Sequence, residues 1–341
     1  MGKIRYVNRD YLCQYDLSFD FFHELGIKIK DVTPLRKIFV LNTSEGTKIL
    51  KKINYDISKL NIINDSLKYI YKKYKNIIVF NEFNDGNCYK KWGKGIYVLM
   101  DRIEGHECSF SNPLEIKLCA KNVALLHKAS NGIKQYLEEK YNMPIMDITL
   151  KQKFKEAKED LIYFKSIVEK YENKNEFDRI FIENVDKYCE EIKLVEREIN
   201  EEEYENLRND EGKICICHND LAYHNFLIEG EKINIIDFDY MTIDLRVVDL
   251  ADFILKAVKN AAFDIKKMET VLESYEEEIK LSVAEKKLIK LILKFPRDFY
   301  SISNDYYRKK KSWDYEVYLS RLKGKLDNEI FRYELIQNYK F

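Results

Sequence analysis

The sequence predicts an α+β chain in which a small antiparallel sheet is followed by a larger, mainly helical part. Three observations predict this. Short apolar runs of strand length, separated by turn residues, crowd the first hundred residues. Apolar residues at helical spacing dominate the remainder. The length of 341 residues favours two domains or one large bilobal one.

Residues 8–25 carry Leu12, Tyr15, Leu17, Phe21, Phe22 and Leu25 at a mostly helical spacing that ends at Gly26. IKIKDV, KIFVLNT and TKILKKI follow, three strand-like runs separated by Thr-Pro and Ser-Glu-Gly. A helix over 56–74 places Ile57, Leu60, Ile63, Leu67, Ile70, Tyr71 and Tyr74 on one face. Two more strands are expected at NIIVFNEF and, after the Gly-rich turn around Trp92, at GIYVLMDRI. Five strands and these helices make a first domain of residues 1–103, and Glu104-Gly105 reads as a hinge into a second of residues 104–341.

Asn112-Pro113 opens the second domain's first helix, which runs through LCAKNVALLHKAS. Over 147–208 the apolar positions Phe154, Ala157, Leu161, Phe164, Val168 and Tyr171, then Phe177, Phe181, Val185, Tyr188, Ile192, Val195 and Ile199, predict an inserted antiparallel helix pair. Asn173-Lys174-Asn175 breaks it, and its many charges form the solvated face. Beyond residue 245 the chain is again helical, with a break at Phe295-Pro296. Tyr306, Tyr307 and Trp313 could offer faces to a cationic amine, but with 25 Tyr and 19 Phe in the chain, packing is the better explanation.

Lys plus Arg and Asp plus Glu both number 58, so the global charge does not point to nucleic acid. The opening segment has no long apolar stretch, and nowhere does the chain approach the roughly 20 apolar residues of a membrane helix, which predicts a soluble intracellular protein without a signal peptide. Tyr6 stands where a myristoylation signal after Gly2 needs Ser or Thr. The cysteines at 13, 88, 108, 119, 189, 215 and 217 include no CxxC pair, so reduced, mostly buried thiols are expected, and Cys215-Ile216-Cys217 reads as a strand.

The chemistry lies in CICHNDLAYHNFLIEGEKINIIDFD, residues 215–239. Phosphoryl transfer from a nucleotide needs an acceptor-side base, oxygen ligands for Mg²⁺ and a cation on the phosphates; protein kinases supply a loop Asp, an Asn five residues later, an Asp after a short hairpin and a strand Lys. Asp220 is placed to accept the proton of a substrate hydroxyl, and Asn225 stands five residues on. Residues 226–228 and 233–236 would pair across Glu229-Gly230-Glu231 and return Asp237 beside Asn225. Mg²⁺ keeps waters, so one carboxylate, one amide and the phosphates suffice to hold it. His218 is expected to shape the loop by hydrogen bonding, and His224 to be a loop histidine without a role.

Lys51, at the end of TKILK, is the candidate phosphate lysine; strand alternation separates it from Lys52. Its usual acidic partner on the following helix is not evident, since Asp65 projects opposite the apolar face and is expected in solvent. The turn Thr33-Pro34-Leu35-Arg36-Lys37 has no glycine for cradling phosphates through the backbone. Met100-Asp101-Arg102-Ile103 could present backbone groups to an adenine edge.

With LNTSEGTKILKKI, YVLMDRIEGHEC, ALLHKAS, CHNDLAYHNFLI and INIIDFDYMTIDLRVVDLADFI, the chain resembles the aminoglycoside phosphotransferase and choline kinase-like superfamily over nearly its whole length. It is most similar to the CotS family of spore coat proteins from endospore-forming bacteria. The resemblance implies a two-lobed protein kinase-like fold, Asp220 as catalytic aspartate, Asn225 and Asp237 as metal ligands and Lys51 as phosphate lysine. It also implies that Asp249 braces the catalytic loop, whose shape His218 is expected to support. Two departures stand out: Asn219 replaces the Gly common in His-Gly-Asp, and the helix acid is missing.

The implied cofactors are ATP and Mg²⁺, and the implied partners are other spore coat proteins and a small hydroxyl-bearing substrate, without nucleic acid or membrane. The expected role is that of a coat protein made in the mother-cell cytoplasm and assembled into the spore coat. The alternatives are an active cytoplasmic small-molecule kinase of choline/ethanolamine, sugar or aminoglycoside type, and a nucleotide-binding pseudokinase scaffold. Function lives in the site, and the fold alone does not choose among them.

Overall fold

The computed structural model describes residues 5–6, 17–35, 38–146, 148–259 and 262–340. The expected start of the first helix, with Leu12 and Tyr15, and the turn residues Arg36 and Lys37 lie outside these. The chain divides into two compact units, Met1–Ser109 with Tyr223–Met241, and Phe110–Ala222 with Thr242–Phe341. This differs from the expected division at 103/104. The 226–235 hairpin joins the first unit because Phe226–Glu229 pairs with a short strand, His106–Glu107, that follows the expected hinge.

In the first unit a sheet of six strands runs in the order β1-β2-β3-β4-β6-β5 among the described residues. These are β1 (Arg5–Tyr6), β2 (Ile29–Leu35), β3 (Ile38–Thr43), β4 (Gly46–Ile53), β5 (Lys90–Trp92) and β6 (Gly95–Asp101). The pairs are antiparallel except β1 with β2, which is parallel. Alternation explains the packing: Phe39 and Leu41 of β3, Leu50 of β4 and Tyr97 and Leu99 of β6 are buried against Phe21 and Phe22 of helix α1 (Phe19–Glu24). Each such side chain contributes about 1.5–3 kcal/mol on burial.

NIIVFNEF is not a regular strand. It makes single bridges, Ile77 to Ile235 and Phe80 to Met100. Changing partner within four residues leaves no ladder to extend, so the apolar run is buried without becoming a strand. Helix α2 (Ile57–Tyr71) starts at Asp56, whose side chain accepts from the Lys59 N–H at 2.8 Å. The expected apolar face is buried at Leu60, Ile63, Leu67 and Ile70, but Tyr71 is exposed and Asp65, expected in solvent, is half-buried.

The second unit is mainly helical. Helix α3 (Pro113–Ala129) begins with Asn112 as its cap, followed by α4 (Ile133–Tyr141). The inserted pair forms as α5 (Leu150–Val168) and α6 (Glu176–Glu198), and a third helix, α7 (Glu201–Asn209), completes the segment. Lys165–Asp186 at 2.7 Å and Lys158–Glu196 at 2.5 Å match residues in opposite chain directions, which makes the pair antiparallel. The break has a cause: Asn175 and Asp178 form a capping box that starts α6. All the expected core positions of the pair are buried except Tyr171.

Helices α8 (Arg246–Lys259), α9 (Ile265–Glu276), α10 (Val283–Lys294), α11 (Arg297–Tyr307), α12 (Tyr315–Asp327) and α13 (Glu329–Asn338) follow. Tyr306 stacks on Phe177 with ring centres 3.8 Å apart, and Tyr307 meets Phe181 edge-on while donating its hydroxyl to Asp178 at 3.1 Å. Trp313 lies against Tyr318 and under Arg321. These aromatics are packing groups. Among the described residues, no helix is long and apolar enough to cross a membrane.

Candidate active site

The first unit assembles a lysine and two acids. β4 pairs with β3 on one side and β6 on the other, which fixes the faces of its three lysines. Lys48 turns to Asp101 at 2.7 Å, and Lys51, an odd number of residues along the strand, takes the opposite face. Lys51 Nζ donates to Asp237 Oδ1 at 2.6 Å and lies 2.8 Å from Asp239 Oδ2. Tyr55, just beyond the strand, donates its hydroxyl to Asp239 Oδ1 at 3.1 Å. Burial by itself lowers the Lys51 pKa, but Asp239 first and Asp237 second outweigh it and raise it above the ordinary ammonium value. The Tyr55 phenol is pushed up by burial and by Asp239, so it stays a donor.

The hairpin that delivers Asp237 forms at the expected place. Phe226–Glu229 and Lys232–Ile235 pair antiparallel, with Glu229 opposite Lys232 across Gly230 (φ +61°) and Glu231. The hairpin's two ends meet where the Ile236 N–H donates to the Asn225 carbonyl at 3.0 Å. Asn225 is buried, and Asp237 has φ +67°, a left-handed conformation that costs a non-glycine residue about 1–2 kcal/mol. Strain of this kind gathers where a side chain's aim matters more than its stability. Met100 lies within β6, opposite Ile49 and bridged to Phe80, while Ile103 is half-buried two residues past the strand's end.

The second unit holds the His218-Asn219-Asp220 turn. Ile214–Cys217, buried throughout, pairs antiparallel with Thr242–Leu245, which runs directly into α8. That ladder registers the turn against the first turn of α8, where Asp249 Oδ1 accepts the Asn219 N–H at 2.8 Å. Asn219 has φ +61° and donates its amide to Thr242 Oγ1 at 2.9 Å. His218 is buried, and its Nδ1 accepts the Asp220 N–H at 3.2 Å. Lys256 Nζ donates to Asp220 Oδ1 at 2.5 Å and lies 3.0 Å from Asp252 Oδ2, which stands one turn before it on α8. Arg297 closes on the other Asp252 oxygen.

Beneath the turn, His127 of α3 is buried with Nε2 3.1 Å from Asp249 Oδ2 and Nδ1 2.8 Å from the Tyr275 hydroxyl. Burial alone would raise the Asp249 pKa; the His127 hydrogen bond and charge, His218 and the Asn219 N–H outweigh it and hold it below the usual carboxylate value. Burial alone would lower His127, but Cys215, Tyr275 and the Asp249 hydrogen bond carry it well above the usual imidazole value.

Sequence reasoning assigned no role to Asp239, Tyr55, Lys256, Asp252, Arg297 or His127. Asp239 was visible in Asp-Phe-Asp, and His127 in ALLHKAS. That Asp239 meets a lysine far back along the chain has no local signature.

A family model described as "Spore coat putative kinase YutH" matches residues 23–339. The chain belongs to the spore coat putative kinase YutH family. As a YutH-family protein it is 24% identical over 315 residues to "Spore coat protein S" of Bacillus subtilis (strain 168), covering 89% of this chain and 86% of that protein. The match agrees with the CotS-type resemblance. Among solved structures, an aminoglycoside phosphotransferase from Alicyclobacillus acidocaldarius subsp. acidocaldarius DSM 446 is similar with a TM-score of 0.77 at 15% identity, covering 94% of this chain and 95% of that one. Spectinomycin phosphotransferase APH(9)-Ia, in complex with ADP and spectinomycin, is similar with a TM-score of 0.65 at 16% identity, covering 98% of this chain and 99% of that one. These likenesses establish the fold of this YutH-family chain as the two-lobed, α+β protein kinase-like fold.

Proposed function

We propose that this chain is a spore coat protein that binds Mg²⁺ and ATP and transfers the terminal phosphoryl group to a hydroxyl of a small molecule. The observation that carries the reading is Lys51, a largely buried strand lysine held between Asp237 and Asp239 at 2.6 and 2.8 Å. A cation at the end of a sheet strand, beside a hard carboxylate in a strained conformation, is the equipment that phosphate and Mg²⁺ require.

The donor chemistry fits the ion: the Asp237 carboxylate and the Asn225 amide oxygen would hold Mg²⁺, whose charge would offset that of the phosphates. Lys51 binds phosphate oxygens, and backbone groups around Met100 and Ile103 bind the base. Asp220 orients the acceptor hydroxyl and takes its proton as the new O–P bond forms and the bond to the bridging oxygen of the nucleotide breaks. His218 and Asp249 fix the turn that aims Asp220, through the Asp220 and Asn219 N–H groups.

The acceptor is an alcohol, of the amino-alcohol, sugar or aminoglycoside kind. The protein is made in the mother cell and assembled into the coat with other coat proteins, a reading supported by the family and by the match to Spore coat protein S. A tagged copy should be made late in sporulation and remain with washed spores. ADP release should be measured with purified protein, Mg²⁺-ATP and a panel of such alcohols: acceptor-dependent release that Asp220→Ala abolishes supports the reading, and none with any acceptor counts against it.

One contact favours a second reading, a nucleotide-binding scaffold without turnover. Lys256 occupies an oxygen of Asp220 at 2.5 Å, where a base must meet its acceptor. Nucleotide binding without acceptor-dependent release, with or without Lys256, would favour the scaffold.

A further inference from the structure

We propose that Asp239, steadied by Tyr55, is the positioning residue for Lys51, and that it stays with the lysine while Asp237 serves the metal. The inference rests on the nucleotide-site reading above and goes beyond it by dividing the labour of two acids two positions apart. It also answers the missing helix acid: the lysine's partner comes from the far side of the 226–235 hairpin.

Both carboxylates contact Lys51, at 2.6 and 2.8 Å, so contact alone does not separate them. Their other attachments do. Asp239 Oδ1 accepts from the Tyr55 hydroxyl at 3.1 Å while its Oδ2 faces Lys51, which spends both oxygens inside the lysine cluster. Asp237 meets Lys51 through Oδ1, and its backbone follows Ile236, whose N–H is bonded to the Asn225 carbonyl at 3.0 Å. Asp237 therefore directly follows the residue whose backbone is tied to Asn225, whereas Asp239 stands two residues further on.

Electrostatics gives the same division. Lys51 is mostly buried, and a desolvated ammonium needs an anionic partner. If both acids went to the metal, the lysine would lose both; if Asp239 remains, one is always present. With Lys51, Asp237 and Asp239 the cluster sums to one negative charge, and a divalent cation turns it to one positive. Polyphosphate then meets a net attraction even though Asp239 keeps its place.

The test uses the full chain and two probes. The first needs no nucleotide: acetylation of Lys51 by an N-hydroxysuccinimide ester at pH 8, read by peptide mass spectrometry. Asp239→Asn should raise Lys51 labelling about 3- to 10-fold, because the lysine loses one of the two carboxylates that hold its ammonium in place. Tyr55→Phe, which removes one hydrogen bond and no charge, should give a smaller rise, and Asp239→Glu should restore most of the protection. The second probe is ADP affinity with Mg²⁺ and with EDTA. Asp239→Asn should weaken both about equally, whereas Asp237→Asn should erase the gain from Mg²⁺.

Unchanged Lys51 labelling in Asp239→Asn overturns the inference, as does loss of the Mg²⁺ gain in that variant, which would make Asp239 a metal ligand. If the wild-type chain binds no ADP in either condition, the nucleotide reading fails, and the labelling still decides whether Asp239 holds Lys51.

Discussion

The backbone N–H of Asn219 donates to Asp249 Oδ1 across 2.8 Å, in the one residue of the His218-Asn219-Asp220 turn with a positive φ, +61°. A buried carboxylate thus fixes the backbone immediately before the candidate catalytic aspartate. Its second oxygen is held by His127 at 3.1 Å, so a pair buried in the helical unit sets the direction of a side chain at the turn.

Removing one partner of that pair leaves a buried charge uncompensated. Asp249→Ala should destabilise the chain by roughly 3–5 kcal/mol, measured by urea unfolding at neutral pH. Asp249→Asn should cost less if its amide oxygen still accepts the Asn219 N–H.

The same pair predicts a pH window. His127 is raised in the folded state, so its contribution is complete below its unfolded value and is lost as pH rises through the folded one. Asp249 is lowered, so its contribution is present above its unfolded value and is lost as pH falls through the folded one. The stability difference between wild type and His127→Gln should therefore be greatest from about pH 5 to 6.5 and shrink toward alkaline and strongly acid pH. A difference that grows with alkalinity would contradict it.

Asn219 departs from the glycine expected in such a turn, and its amide bonds to Thr242 Oγ1 and the Cys217 carbonyl explain how it is accommodated. Asn219→Ala keeps a Cβ at positive φ and loses both bonds, and should cost about 1–2 kcal/mol. Asn219→Gly should cost less, because glycine adopts the conformation freely. Urea midpoints of the two variants decide the order.

Gly105 has φ +132°, and a Cβ there would meet the Ile228 carbonyl oxygen at 2.8 Å. Gly105→Ala should destabilise by roughly 2 kcal/mol, from strain and from pushing His106–Glu107 off the hairpin. Chemical unfolding should show the loss.

Asp220 and Asp237 should separate on mutation. Asp220→Ala should lower any phosphoryl transfer by about 10²–10⁴-fold with nucleotide affinity kept, as for loss of a general base. Asp237→Ala should weaken Mg²⁺-ATP binding itself. Equal losses of affinity in both would undo the assignment of roles.

Local pattern carried much of this fold. The faces of α5 and α6 were legible because Phe154, Leu161, Phe164, Phe181 and Tyr188 repeat at the helical period and are buried as it demands. The 226–235 hairpin was legible from two apolar runs around Gly230. Residues 76–83 were misread because a short apolar run reports burial, and pairing depends on partners elsewhere in the chain. The first unit's claim on the hairpin was hidden for the same reason, since it rests on His106 and Glu107 meeting Ile228 and Leu227. The motif marks Asp220, Asn225 and Asp237 as candidates, but the supports of Lys51 and Asp220 are contacts between distant positions. Lys256 sits one turn beyond Asp252, past the RVVDLADFI stretch that carries the resemblance.

The most direct test of nucleotide binding is the melting temperature of the purified chain with and without Mg²⁺-ATP, beside Asp237→Ala. A ligand that binds only the folded state at 100 times its dissociation constant stabilises it by about 2.7 kcal/mol, a shift of several degrees. A metal-dependent rise that disappears in Asp237→Ala is the predicted result. No rise at millimolar nucleotide, or an equal rise in the variant, would contradict the assignment of Asp237 as a ligand of Mg²⁺-ATP.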